Sequence, residues 1–218
     1  DGDYGPATER AVAIFRSRQR LAVDDRRLLE ELRSPATTAA RKIDIGRPMK
    51  LGQLIVMYAL QHLEQAPREV GGQNRGPWVR LYCDGRDGPE MLWCMAFVHY
   101  LCKQACAHDY TMPIVDVYPR WLSCDSVALD ARRHGRRLTS AEVFARPSLV
   151  RPGQIFLAKK TPTDWVHAGI VIEGDERART IETIEGNANA AGEREGTCVR
   201  SGVRAMGRLD YVRVDPED

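Results

Sequence analysis

Each thing this chain lacks removes a class of function. No run of about 18 apolar residues occurs, the length that a membrane-crossing helix requires, so no transmembrane helix is expected. The six cysteines include no Cys-x-x-Cys pair and fit no strong zinc spacing, so no metal site is expected. A charge surplus is missing too. Lys and Arg number 32 against 30 Asp and Glu, a formal charge of +2 with a pI near 8.3. That is far below the basic excess of a nucleic-acid binder. No low-complexity tract interrupts a composition of 43% hydrophobic and 28% charged residues, which is that of a globular chain. The 218 residues leave room for one ordinary domain and a small appendage. No leader segment opens the chain. It starts at Asp1-Gly2-Asp3-Tyr4-Gly5, in what reads as the middle of a small domain, so further sequence is expected upstream.

What is present falls into three stretches. Residues 1–33 read as a short helical unit: a turn through Pro6, a helix with Ala11, Val12 and Phe15 on one face, and a second helix around Leu28, Leu29 and Leu32. The string Asp1-Gly2-x-Tyr4-Gly5-x-x-Thr8-x-x-Ala11-Val12-x-x-Phe15 resembles the central signature of the three-helix peptidoglycan-binding module. The module's usual first helix is absent, and Arg16 stands where Gln is usual, so the piece reads as truncated. A helical hairpin docked on the next domain is the alternative. Residues 34–48 read as a linker.

Residues 49–215 then carry the main domain. A helix is expected from Met49 to Gln65, with Leu51, Leu54, Ile55, Tyr58, Ala59 and Leu63 at helical spacing. The Gly-rich stretch from Gly71 to Pro77 reads as a loop. A second helix is expected to begin near Glu90 or Met91 and to run to about Ala107, and a long irregular stretch follows it. Strands are expected at 154–158, 166–173, 180–185, 198–203 and 209–214. Helices first and strands last give an α+β class, with helices packed on one antiparallel sheet. Between Arg120 and Arg151, seven arginines face Asp125, Asp130 and Glu142. Such a surplus suits an anionic polymer such as a bacterial wall, or is a solvated basic loop.

Cys94 lies in the first turn of the second helix. A helix start carries partial positive charge and unused N–H groups, which favour thiolate over thiol and can stabilise an oxyanion. The other five cysteines read as buried thiols. A thiolate nucleophile needs a base near it in space. His99 is five residues on, about 140° around the helix, and faces elsewhere, while His62, His108 and His134 lack a distinctive setting. His167 opens an apolar strand, where a rigid backbone can aim it. Glu185 and Asn187, two apart at the end of the next strand, are both candidates to receive the imidazole N–H and fix its tautomer.

These pieces together resemble the CHAP family, the cysteine, histidine-dependent amidohydrolases/peptidases of papain-like fold. The motifs are Trp93-Cys94-x-x-Phe97-Val98, Arg151-Pro152-Gly153-Gln154-Ile155-Phe156, His167-x-Gly169-Ile170-Val171 and Glu185-Gly186-Asn187. The resemblance implies Cys94, His167, Glu185 and Asn187 as the catalytic set. It also implies Asn74, Trp93 and Trp165 at the substrate, no metal or organic cofactor, and a monomer. The implied activity is hydrolysis of a peptidoglycan amide through a Cys94 thioester. The bond is either muramoyl–L-alanine or one within the stem or cross-bridge peptide, which places the action in the cell wall or periplasm. Two alternatives stay open: a papain-like toxin acting on protein glutamines, and a non-catalytic wall-binding protein.

Overall fold

The computed structural model describes residues 42–108, 110, 122–189 and 196–215, together with positions 5, 8, 9, 12 and 13. Contacts divide the chain into Asp1–Ala40 and Arg41–Asp218. In the first unit Thr8, Glu9, Val12 and Ala13 are helical, and the Glu9 N–H bonds the Gly5 carbonyl at 3.0 Å. The other signature positions (Asp1, Gly2, Tyr4, Ala11 and Phe15), the expected helix at Leu28, Leu29 and Leu32, and residues 34–41 of the linker lie outside the described residues.

The second unit begins with α1 (Leu51–Glu64), which buries Leu51, Leu54, Ile55, Tyr58, Ala59 and His62 along one stripe. Its start is held from the far end of the chain. Asp215 accepts the N–H of Leu51 at 2.9 Å and of Gly52 at 3.2 Å, a carboxylate at a helix N-terminus. α2 (Pro77–Tyr82) follows the Gly-rich loop, and α3 (Cys94–Cys106) runs through the middle of the core, with nine of its thirteen residues buried. α3 starts at Cys94 rather than at Glu90 or Met91. A turn closed by Met91 N–H to the Gly88 carbonyl at 2.9 Å occupies the preceding residues, and the Trp93 indole is anchored on Glu69 at 2.9 Å.

The stretch expected to be irregular contains α4 (Cys124–Arg133), β1 (Arg137–Leu138) and α5 (Ser140–Ala145). Both helices begin on capping side chains that the apolar pattern does not register. Ser123 accepts the Ser126 N–H, and Thr139 with Glu142 forms a capping box. The expected strands are all there: β2 (Ile155–Thr161), β3 (Asp164–Asp175), β4 (Thr180–Ala188), β5 (Cys198–Ala205) and β6 (Leu209–Val212). They form one antiparallel sheet in the order β1-β6-β2-β3-β4-β5. The described residues thus make five helices and a six-stranded sheet, an α+β arrangement. α3 packs across β3 and β4, and α4 packs on β3. The Ala158–His167 pairing of β2 with β3 and the Ile170–Ile184 pairing of β3 with β4 fix His167 and Glu185 on neighbouring strands beside α3.

No helix among the described residues is long and apolar enough to cross a membrane.

Candidate active site

Cys94 is the first residue of α3 and is 4% exposed. The first intrahelical bond runs from Phe97 N–H to the Trp93 carbonyl at 2.9 Å. The N–H groups of Cys94, Met95 and Ala96 therefore have no acceptor inside the helix and face the residue that opens it. The Cys94 thiol is held well below its ordinary pKa. A hydrogen bond from the Cys124 thiol contributes most; burial works against it; His167 and the Ala168 N–H add to the lowering. These contacts favour the thiolate of Cys94 over the thiol.

His167 lies four residues into β3 and is buried. Its Nε2 meets Glu185 Oε2 at 2.8 Å. That leaves Nδ1, which has no hydrogen-bond partner of its own, as the ring nitrogen available on the Cys94 side. Burial works to lower the imidazole pKa, but the Cys94 thiolate and the Glu185 carboxylate outweigh it and raise it to about 9. Burial would raise the Glu185 pKa, yet Arg204 and His167 hold it at about 2. The three shifts favour one arrangement of charge, an imidazolium between two anions, with each charge supporting its neighbour.

Glu185 is itself clamped. Arg204 donates from Nε to Oε1 at 2.6 Å and from a terminal nitrogen to Oε2 at 2.5 Å, and Thr183 Oγ donates to Oε1 at 2.6 Å. This fork-on-carboxylate geometry fixes the plane of the carboxylate and hence the ring of His167. The Arg204 guanidinium lies over the Phe156 ring, 5.2 Å from its centre, and Phe156 in turn lies against His167. Gly169 makes room for this group. A Cβ there would stand 2.6 Å from Phe156 and 2.9 Å from Glu185 Cγ.

A cleft of about 300 Å³ opens on Cys94, with Trp165, Met91, Leu92, Cys124 and three carboxylates (Glu90, Asp125 and Asp164) around it. Trp165 is fixed there by its indole N–H to Asp210 at 3.1 Å and its backbone N–H to Asp125 at 2.7 Å.

The remaining sequence candidates lie differently. Trp93 is fully buried and stacked on Tyr82. Asn74 is buried with φ 51°, donates to the Pro89 carbonyl at 2.7 Å, and lines a separate hollow with Glu69, Gly72 and Thr197. Asn187 is fully buried, and neither atom of its amide has a hydrogen-bond partner. The alternation that would set Glu185 and Asn187 on one face breaks between them. The β4–β5 register shifts after Glu185, and Asn187 takes φ 53°. Glu185 alone receives the imidazole. The competing histidines are occupied elsewhere: His62 by Tyr82 and Gln104, His108 by Tyr58, and His134 by the Asp130 carbonyl.

Three participants escape a reading of the sequence: Cys124, Thr183 and Arg204. Arg200 and Arg204, on one face of β5, were the available signal for a cross-strand partner of Glu185. The register sets Arg200 opposite Glu185 and Arg204 opposite Ile181, and it is Arg204 that reaches back past Gly202 to the carboxylate. No family model matches the chain, and neither the curated proteins nor the solved structures compared with it include a match.

Proposed function

We propose that the protein is a cysteine-dependent amidohydrolase of the CHAP kind, with a papain-like fold, acting on peptidoglycan amides. The observation that carries this reading is the chain of contacts from the helix-start thiolate Cys94 through His167 to the clamped carboxylate Glu185, beside an open cleft. The Cys94 thiolate attacks the amide carbonyl, and the oxyanion that forms faces the unused N–H groups of α3. The imidazolium of His167 gives its proton to the departing amine, leaving a thioester on Cys94. The now neutral Nδ1 takes a proton from water, which attacks the thioester and releases the acid. Thiolate and imidazolium are restored. Peptidoglycan as substrate rests on the sequence motifs at both ends of the chain, including the wall-binding signature over residues 1–15.

Incubation with purified peptidoglycan, followed by mass analysis of the soluble fragments, tests the reading. The expected products carry one new amine and one new carboxylate per cut, at the muramoyl–L-alanine bond or inside the peptide, and Cys94→Ala releases none. Release of glycan reducing ends without new amines would overturn it. So would an inert wall alongside deamidated glutamines in a protein substrate.

A further inference from the structure

Cys94 is not the only thiol at its cleft. Cys124 opens α4 as Cys94 opens α3, and both side chains line the same cavity. The start of α4 is locked in place, because Asp125 accepts the Trp165 N–H at 2.7 Å, two residues before His167 on β3. The Cys124 S–H is therefore directed at the Cys94 sulfur by two fixed helix starts rather than by a mobile loop. None of the six cysteines is in a disulfide, although Cys124 hydrogen-bonds Cys94.

We infer that Cys94 and Cys124 form a reversible oxidative modification site, closed to a disulfide by hydroperoxides. The Cys94 sulfur attacks the terminal oxygen of the peroxide and the O–O bond breaks. The alkoxide or hydroxide that leaves takes the His167 proton, and Cys94 becomes a sulfenic acid. Cys124 sulfur then attacks Cys94 sulfur, the S–O bond breaks, and hydroxide leaves with the Cys124 proton as water. Two thiols lose two electrons, and the peroxide gains them as an alcohol (or water) and water. A dithiol reductant reverses the step by exchange. The pairing stops Cys94 from advancing to the sulfinic acid, from which simple thiols cannot recover it. Glu90, Asp125 and Asp164 around the cleft disfavour anionic disulfides such as oxidised glutathione and leave small neutral peroxides as the matching oxidant. Cys83 also borders the cleft, but burial pushes its thiol up to about 12, so it stays protonated and does not compete.

The inference rests on the reactivity of Cys94 assigned above but not on the identity of the substrate, and its readout is mass rather than activity. The reduced chain is treated with a small molar excess of hydrogen peroxide, at least two equivalents, blocked with N-ethylmaleimide, digested without reductant and mapped by fragmentation mass spectrometry. The expected product is a cross-link between Cys94 and Cys124, removed by dithiothreitol. In Cys124→Ser the same dose drives Cys94 to sulfinic acid, and dithiothreitol no longer restores the thiol. A wild-type cross-link from Cys94 to Cys83 would overturn the inference, as would sulfinic acid at Cys94 of the wild type in the same yield as in Cys124→Ser. Hydrolysis of peptidoglycan, measured on the same samples, reports separately on the proposed activity.

Discussion

Cys83, Cys94 and Cys102 carry one functional group in three surroundings, and the surroundings decide which reacts. Burial pushes Cys83 up to about 12 and Cys102 higher still, whereas the hydrogen bond from Cys124, with His167, holds Cys94 down. Iodoacetamide at pH 6 is therefore expected to label Cys94 first, because only the thiolate attacks. Earlier labelling of Cys83 in a time course read by peptide mass spectrometry would remove Cys94 as nucleophile. The same logic separates Glu185 from Arg204. Glu185→Gln takes away the anion beside the imidazolium, so the His167 pKa falls below about 9 and the alkaline limb of kcat/KM moves to lower pH. Activity is expected to drop by about 10²-fold or more, as for other orienting carboxylates. Arg204→Gln removes a cation from the same carboxylate, so the limb moves to higher pH, with a smaller loss that Arg204→Lys partly restores. Limbs that shift in the same direction for both variants would show that Arg204 acts only as structural support. Asn187→Ala leaves the limb in place, since Asn187 makes no bond to His167.

At the scale of elements, the site stands where α3 meets the sheet, and β4 sets that contact. Gly186, between Glu185 and Asn187, touches α3 so closely that a Cβ would lie 2.7 Å from Phe97 Cβ and 2.9 Å from Trp93. Gly186→Ala is expected to cost about 1–3 kcal/mol, the usual penalty for overpacking a filled core. It should also lower activity, by pushing the first turn of α3 away from His167. An unchanged melting temperature in thermal denaturation would mean that α3 and β4 do not pack as described. This contact also explains what the sequence could reveal. Cys94 stands where α3 starts, a place that composition marks, whereas His167 and Glu185 lie inside β3 and β4 and stand out as polar residues in apolar strands. Their order along the chain supplied the rest. The partner of Glu185 was not readable, because Arg204 reaches it from a position opposite Ile181 while Arg200 stands opposite Glu185, and the bulge at Asn187 obeys a long-range fit to α3. α4 and α5 were missed for another reason: α4 buries a stripe of small residues (Cys124, Val127, Ala128 and Ala131) that carries little hydrophobic signal, and α5 buries only Val143, so their caps mark them better than their apolar pattern.

For the whole molecule, the resting ion pair fixes how stability depends on pH. The unfolded pKa values are 9.0 for Cys94 and 6.5 for His167. Cys94 is lowered on folding, so its contribution is present above 9.0 and is lost as pH falls through its folded value. His167 is raised, so its contribution is present below 6.5 and is lost as pH rises through about 9. Between pH 7 and 8 the two slopes oppose each other. The unfolded chain holds one proton, on the thiol; the folded chain also holds one, on the imidazole. Folding then exchanges no proton through this pair, and stability should be level. Cys83 and Cys102 are raised, so their contribution is present below 9.0 and is lost as pH rises beyond it, which closes the window at its upper end, and His62 and Glu185 lie below it. His62, lowered by burial to about 4, contributes stability that is complete above 6.5 and is lost toward 4, and Glu185 loses its share only below the carboxylate range. Single variants unbalance the pair. His167→Gln leaves Cys94 with its bonds from Cys124 and Ala168, so the folded state still releases the thiol proton and stability climbs with pH, by at most about 1.4 kcal/mol per pH unit. Cys94→Ala keeps only the imidazole, and its curve runs level or downward. Melting temperatures measured every half unit across the window decide the matter. A wild-type curve that already climbs or falls would mean that folding takes up or releases a proton there, and the thiolate and imidazolium would not coexist at rest.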